Sequence, residues 1–95
     1  MNIVITREAA ADLDRLRAFL VEADSRAAEH VVAVVSGAIQ SLDIFPDRGR
    51  PSKLIGAREF IVPFGRSAYV IRYAHSAKTN QRVILRIWHG REARE

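Results

Sequence analysis

The chain has 95 residues, a formal net charge of +4 and no cysteine, which points to one small domain near the lower size at which a chain sustains its own core. Apolar residues make up 48% and charged residues 27%; that is too apolar for a disordered chain, and without thiols there is no disulfide framework, cysteine nucleophile or cysteine zinc site. No stretch nears the roughly 18 apolar residues of a membrane span, and "MNIVITREAA" meets charge too early for a secretory core, so a cytoplasmic protein with no membrane partner is expected.

The first element is a strand over residues 2–5, "NIVI", which ends at Thr6. Threonine is a good helix N-cap, and Glu8 in the first turn suits the helix dipole. A helix is predicted over about 7–22, with Ala9, Leu13, Leu16 and Leu20 as its buried stripe and Asp12, Asp14 and Arg15 on the opposite face. "EADS" (22–25) ends it and caps a second helix over about 25–44, whose expected stripe is Ala28, Val32, Val35, Ile39 and Leu42. So short a break makes the pair an antiparallel hairpin. Gly37 lies within the second helix, where glycine costs about 1 kcal/mol against alanine, and a closely packed neighbour would account for it.

"FPDRGRPSKLIG" (45–56) holds two prolines and two glycines and must be a loop. The apolar period then changes to two. Strands are predicted over about 58–64, 68–75 and 82–89, joined by short links into an antiparallel meander. Phe60, Val62 and Phe64 share one face, as do Tyr69, Ile71 and Tyr73, and Val83, Leu85 and Ile87. Arg72, Arg82, Ile84, Arg86 and Trp88 are expected on the other. Residues 90–95, "GREARE", form a short charged tail. The apolar sheet face needs a cover, and the hairpin supplies it. The expected fold is α+β: an N-terminal strand and an antiparallel helical hairpin packed on a three- to four-stranded antiparallel sheet.

Charge divides the chain sharply. Residues 1–47 carry four arginines against eight acids, giving −4, and residues 48–95 carry eleven Lys and Arg against three acids, giving +8. The second half is suited to an anionic partner, either nucleic acid or an acidic protein segment.

The helical hairpin, the passage from Leu42 to Pro51 (L-x-x-F-P-x-x-G-R-P), "REFIVPF", "YVIRY" and the closing "VILRIWHGRE" together resemble the RelE/ParE superfamily of toxin–antitoxin toxins. The likeness runs in order along essentially the whole chain. It implies one of two activities, because that superfamily places both on one fold. RelE-like members cleave messenger RNA on the ribosome; ParE-like members poison DNA gyrase and lack the nuclease's residues. Both kinds are neutralised by an antitoxin encoded beside them.

RNA cleavage through the 2′-hydroxyl needs a base, an acid and cations for the phosphorane charge. The nuclease branch implies an acid or lysines before the second strand, an arginine on the third, and a Tyr or His-Tyr near the C-terminus. In this sequence the arginine position falls at Tyr69 or its neighbours, and His89-Gly90 replaces the terminal pair. Lys53 and Arg58 remain as cations, which alone only bind phosphate. His89 is the one candidate acid or base, and a lone histidine at a strand end is expected to be structural. His30 and His75 have no metal-site spacing, no serine lies in a nucleophile elbow and no Gly-rich phosphate loop is present. No catalytic residue, metal or cofactor is therefore expected.

A binding protein is the expectation that remains. The ParE resemblance implies a ParD-like antitoxin whose acidic segment folds onto the hairpin and the basic half. Leu13, Leu16 and Leu20 with Arg58, Arg66 and Arg72 are the residues expected to receive it. Arg86, Trp88, His89, Arg91 and Arg94 join interface-anchoring residue types to the tail and are expected to grip gyrase. No RNP, helix-turn-helix or zinc-finger pattern supports sequence-specific nucleic-acid binding. The alternative reading is a RelE-like ribosome-dependent ribonuclease.

Overall fold

The computed structural model of the chain describes residues 2–92, so Arg94 lies outside the described residues. Strand β1 (Ile3–Ile5) leads into helices α1 (Arg7–Val21) and α2 (Ser25–Ile44); strands β2 (Arg50–Pro51), β3 (Ala57–Phe64), β4 (Ser67–Ser76) and β5 (Gln81–His89) follow. The α+β expectation holds, with two helices packed on one sheet. The sheet has five strands in the order β1-β5-β4-β3-β2, and it is mixed: β1 pairs parallel with β5, and the other pairs are antiparallel. The fifth strand is the two-residue β2, which lies within the Pro/Gly-rich stretch expected to be loop alone.

Local chemistry sets the boundaries. Thr6 Oγ1 accepts from Ala9 N–H (3.1 Å) at the start of α1, and Asp24 Oδ1 accepts from Arg26 N–H (2.9 Å) at the start of α2. Gly65, at φ 59°, is the first residue of the two-residue turn between β3 and β4, a conformation that favours glycine. The β2 strand covers β3 only at Arg58 and Glu59, so Pro63 stands where that edge is open and its missing N–H costs no ladder bond.

The core lies between the hairpin and the inner sheet face, with Val31, Val35, Ile39 and Leu42 of α2 against Val62, Tyr69, Ile71, Tyr73, Ile84 and Ile87. The α2 stripe therefore runs through Val31 where Val32 was expected; Val32 packs at its margin. Gly37 is exposed, with no atom within 4 Å of the position a Cβ would take, so no packed neighbour accounts for it.

Two departures reshape the surface. Arg72 pairs with Arg86 and Tyr73 with Ile84, which leaves Leu85 as an extra residue on β5. This bulge turns Ile84 into the core (0% exposed) and sends Val83 to the outer face, reversing the expected alternation N-terminal to the bulge. Arg82, opposite His75, turns to the hairpin side, while Arg72, Arg86 and Trp88 share the outer face. The second departure is Asp12, expected on the solvent side of α1 yet only 5% exposed. Its partners on β5 explain that burial.

Candidate functional site

Strand β1 covers only residues 82–84 of β5, leaving the rest of that edge unpaired. The start of α1 closes it. Thr6 Oγ1 donates to the carbonyls of Ile84 (2.8 Å) and Leu85 (3.1 Å), and Asp12 Oδ2 accepts from the Ile87 N–H (2.9 Å). The Asp12 carboxylate also accepts from Arg86 Nε at 2.7 Å, Arg86 Nη2 at 3.1 Å and Arg15 Nη2 at 3.1 Å. Burial alone would push its carboxyl up. The bonds from Arg86, Ile87 N–H and Arg15, together with the Arg86 charge, outweigh burial and hold it below the ordinary 3.8. Arg86, expected to grip a target, is thus tied into the fold.

The outer sheet face carries a second network. Arg72 and Glu59 stand opposite each other on β4 and β3, and Glu59 Oε2 accepts from Arg72 Nη2 (2.9 Å), Arg72 Nε (3.2 Å) and Ser52 Oγ (3.2 Å). Both side chains are 7% exposed, so Arg72 is part of a buried ion pair and is not offered to an antitoxin. Trp88, 3% exposed, lies with the Arg72 guanidinium 4.7 Å and the Arg86 guanidinium 5.0 Å from its ring centroid. It is an internal part of this face. Beside it Arg50, Pro51, Ser52, Lys53, Glu59, Arg72 and Glu92 line a cationic recess of about 320 Å³.

The C-terminal turn is built around His89. Its Nδ1 accepts from the Arg91 N–H (3.1 Å), so its Nε2 bears the hydrogen and donates to Ser67 Oγ at 2.6 Å. The ring also meets Tyr69 edge-on at 5.4 Å. Glu92 turns back, accepting from the His89 N–H (2.8 Å) and from Arg15 Nη1 (2.7 Å). Gly90 N–H donates to the Ala68 carbonyl at 2.8 Å. Burial, and then the Glu92 charge, raise the Tyr69 hydroxyl above its ordinary 10.0, which keeps it protonated. Both His89 nitrogens are therefore engaged in holding the turn.

The remaining expected contact residues divide by exposure. Leu16 is buried and Leu13 and Leu20 half-buried against the core. Leu13 also lines a recess of about 320 Å³ with Ile3, Ile5, Ser36, Ile39 and Gln40. Arg58 Nη1 donates to the Gly49 carbonyl at 2.7 Å, so that side chain is pinned to the loop before β2. Arg66 is exposed at the tip of the β3–β4 turn. Among the described residues no cluster of His, Asp or Glu could hold a metal ion.

Three residues were missed. Glu59 was legible: alternation puts it on the face of Arg72, and it is the lone acid from 48 to 91. Phe19 breaks the apolar stripe of α1, and such an off-stripe aromatic is itself a signal; it is 81% exposed. Asp12 carried no signal of its burial, because its partners on β5 lie 74 and 75 positions away and Arg15, three residues on, reads as an ordinary exposed helix pair.

The known proteins that this chain resembles are toxins or belong to toxin–antitoxin systems. Residues 3–94 match the family described as the ParE toxin of the type II toxin–antitoxin system parDE. The chain is 40% identical over 95 residues to the protein named Toxin RelE1 of Caulobacter vibrioides, covering 98% of this chain and 97% of that one. The solved structure titled chromosomal ParDE TA system from P. aeruginosa matches with a TM-score of 0.76 at 26% identity, covering 94% of this chain and 95% of that one. Sequence along the whole length and fold agree, and the chain belongs to the ParE toxin family of type II toxin–antitoxin systems.

Proposed function

We propose that this toxin arrests growth by binding and inhibiting DNA gyrase, without chemistry of its own, and that a ParD-like antitoxin neutralises it in a cytoplasmic complex. One observation carries the preference over a nuclease: the acid–base groups that line the cationic recess, together with those of the C-terminal turn and the core, are already spent on the fold. Glu59 is bonded to Arg72 and Ser52, and Glu92 to Arg15 and the His89 N–H. His89 uses both ring nitrogens, and the Tyr73 hydroxyl donates to the Pro46 carbonyl (2.7 Å) and accepts from the Gly49 N–H (2.9 Å). Arg50 and Lys53 are exposed cations that would hold phosphate, yet general acid–base catalysis needs a group free to move a proton.

The charge of residues 48–95 and the exposed Arg66 support an acidic antitoxin segment as partner. The ribonuclease alternative has the cationic recess in its favour, as well as the name of the Caulobacter relative. A supercoiling assay with purified gyrase and purified toxin, run beside cleavage of messenger RNA on ribosomes, separates the two. Inhibited supercoiling that antitoxin restores, with intact message, is expected. Unaffected gyrase with cleaved message would give the function to the ribonuclease reading.

A further inference from the structure

Between α1 and the C-terminal turn lies a recess of about 440 Å³ lined by Arg15, Leu16, Phe19, His89, Arg91 and Glu92. Leu16 (6% exposed) is its apolar floor and Phe19, 81% exposed, its wall. A single exposed apolar residue is ordinary on a protein surface. Phe19 differs in its setting, because it stands on a helix beside an apolar hollow and takes no part in the core cluster. The rim is cationic. Glu92 is spent on Arg15 and on the His89 N–H, whereas the exposed Arg91 has no carboxylate partner among the described residues.

We propose that this recess receives an apolar side chain from an acidic segment of the antitoxin, with Phe19 packing against it and Arg91 meeting a flanking carboxylate. The inference rests on the toxin–antitoxin reading above and names the surface within it. An apolar floor and wall select the anchor, and the Arg91 cation selects the acid beside it. A second copy of this chain fits poorly, since a two-fold contact would set one cationic rim against its twin. The site adjoins His89 and Arg91, two of the residues expected from the sequence to meet gyrase. If those residues meet gyrase, one bound segment covers them, and antitoxin and gyrase exclude each other there.

The test measures binding of the ParD-like antitoxin encoded beside the toxin to the purified chain, by calorimetry at physiological salt with a thermal melt beside it. Phe19→Ala is expected to fold and to weaken the complex by about 30-fold. Ile55→Ala, which removes an apolar side chain that is 97% exposed and outside the recess, is expected to stay within about threefold of wild type. Arg91→Glu is expected to weaken binding more at low salt than at high salt. A folded Phe19→Ala chain within threefold of wild type overturns the proposal. So does a Phe19→Ala chain that keeps antitoxin affinity and loses gyrase inhibition, which would give the recess to the target. A wild-type dimer that Phe19→Ala dissolves, seen by light scattering, would give it to self-association and overturn it too. If the wild-type chain binds no antitoxin, the reading beneath fails as well, and that result is distinct from the others.

Discussion

Asp12→Ala is the substitution that most directly probes how α1 is fixed to the sheet. It removes the acceptor of the Ile87 N–H, a buried bond of 2.9 Å, and an orphaned buried donor costs about 1–3 kcal/mol. It also strips Arg86 of the carboxylate 2.7 Å from its Nε. Breaking a fully buried pair costs roughly 3–5 kcal/mol, but the Arg86 side chain is 31% exposed and water recovers part of that. The sum expected is about 2–4 kcal/mol, a large share of the roughly 5–15 kcal/mol that holds a small domain together. For a domain of this size that lowers the Tm by about 10–25 °C. Circular dichroism melts of wild type, Asp12→Ala and Asp12→Asn would measure it, with the isosteric amide losing less because it keeps an acceptor. Because the folded-state pKa of Asp12 lies below its unfolded value near 3.8, its contribution is present above that value and is lost as the pH falls through the folded one. The wild type should therefore lose its advantage over Asp12→Asn in acid. A Tm for Asp12→Ala within about 3 °C of wild type would show that Asp12 does not anchor α1 to β5.

Gly49→Ala should destabilise by about 1–3 kcal/mol, because a Cβ there would stand 2.8 Å from the Glu59 carbonyl oxygen and 3.0 Å from Tyr73 Cε1; a melt and a urea titration check it. Tyr73→Phe removes the hydroxyl that holds Pro46 and Gly49 and should cost a similar amount, read in the same melt. Arg66→Glu should slow association with the antitoxin more than it speeds dissociation, with an effect that shrinks as salt rises; surface-plasmon kinetics with an unchanged on-rate would count against it. Deleting residues 93–95 spares the bonds of Glu92 to Arg15 and His89 yet removes Arg94, so the melt should hold while inhibition of supercoiling falls; full inhibition would show that Arg94 is dispensable.

The elements were legible because each wrote a period and a boundary into consecutive residues: the cap at Thr6, the stripe from Val35 to Leu42, and the alternation around Tyr69, Ile71 and Tyr73. What escaped depends on contacts distant in sequence. The bulge at Leu85 follows from how β5 meets β4, and nothing local to "RVILRIW" announces it. The same limit applied to the site. Composition marked Arg72, Arg86 and Trp88 as interface anchors, but their side chains are taken up by Glu59, by Asp12 and by one another. A residue type suited to binding a partner is equally suited to binding its own fold, and only pairing across strands separates the two uses. Phe19 shows the converse: an apolar residue off the helix stripe stayed exposed.

Plasmid topology in intoxicated cells separates a toxin that acts on gyrase and leaves messages whole from one that cuts them. The toxin would be induced without its antitoxin, and plasmid and total RNA taken from the same culture within minutes. Loss of negative supercoiling or broken plasmid is expected, while messages remain full-length. Plasmid of normal superhelicity beside messages cleaved on the ribosome would assign this toxin to the ribonuclease branch instead.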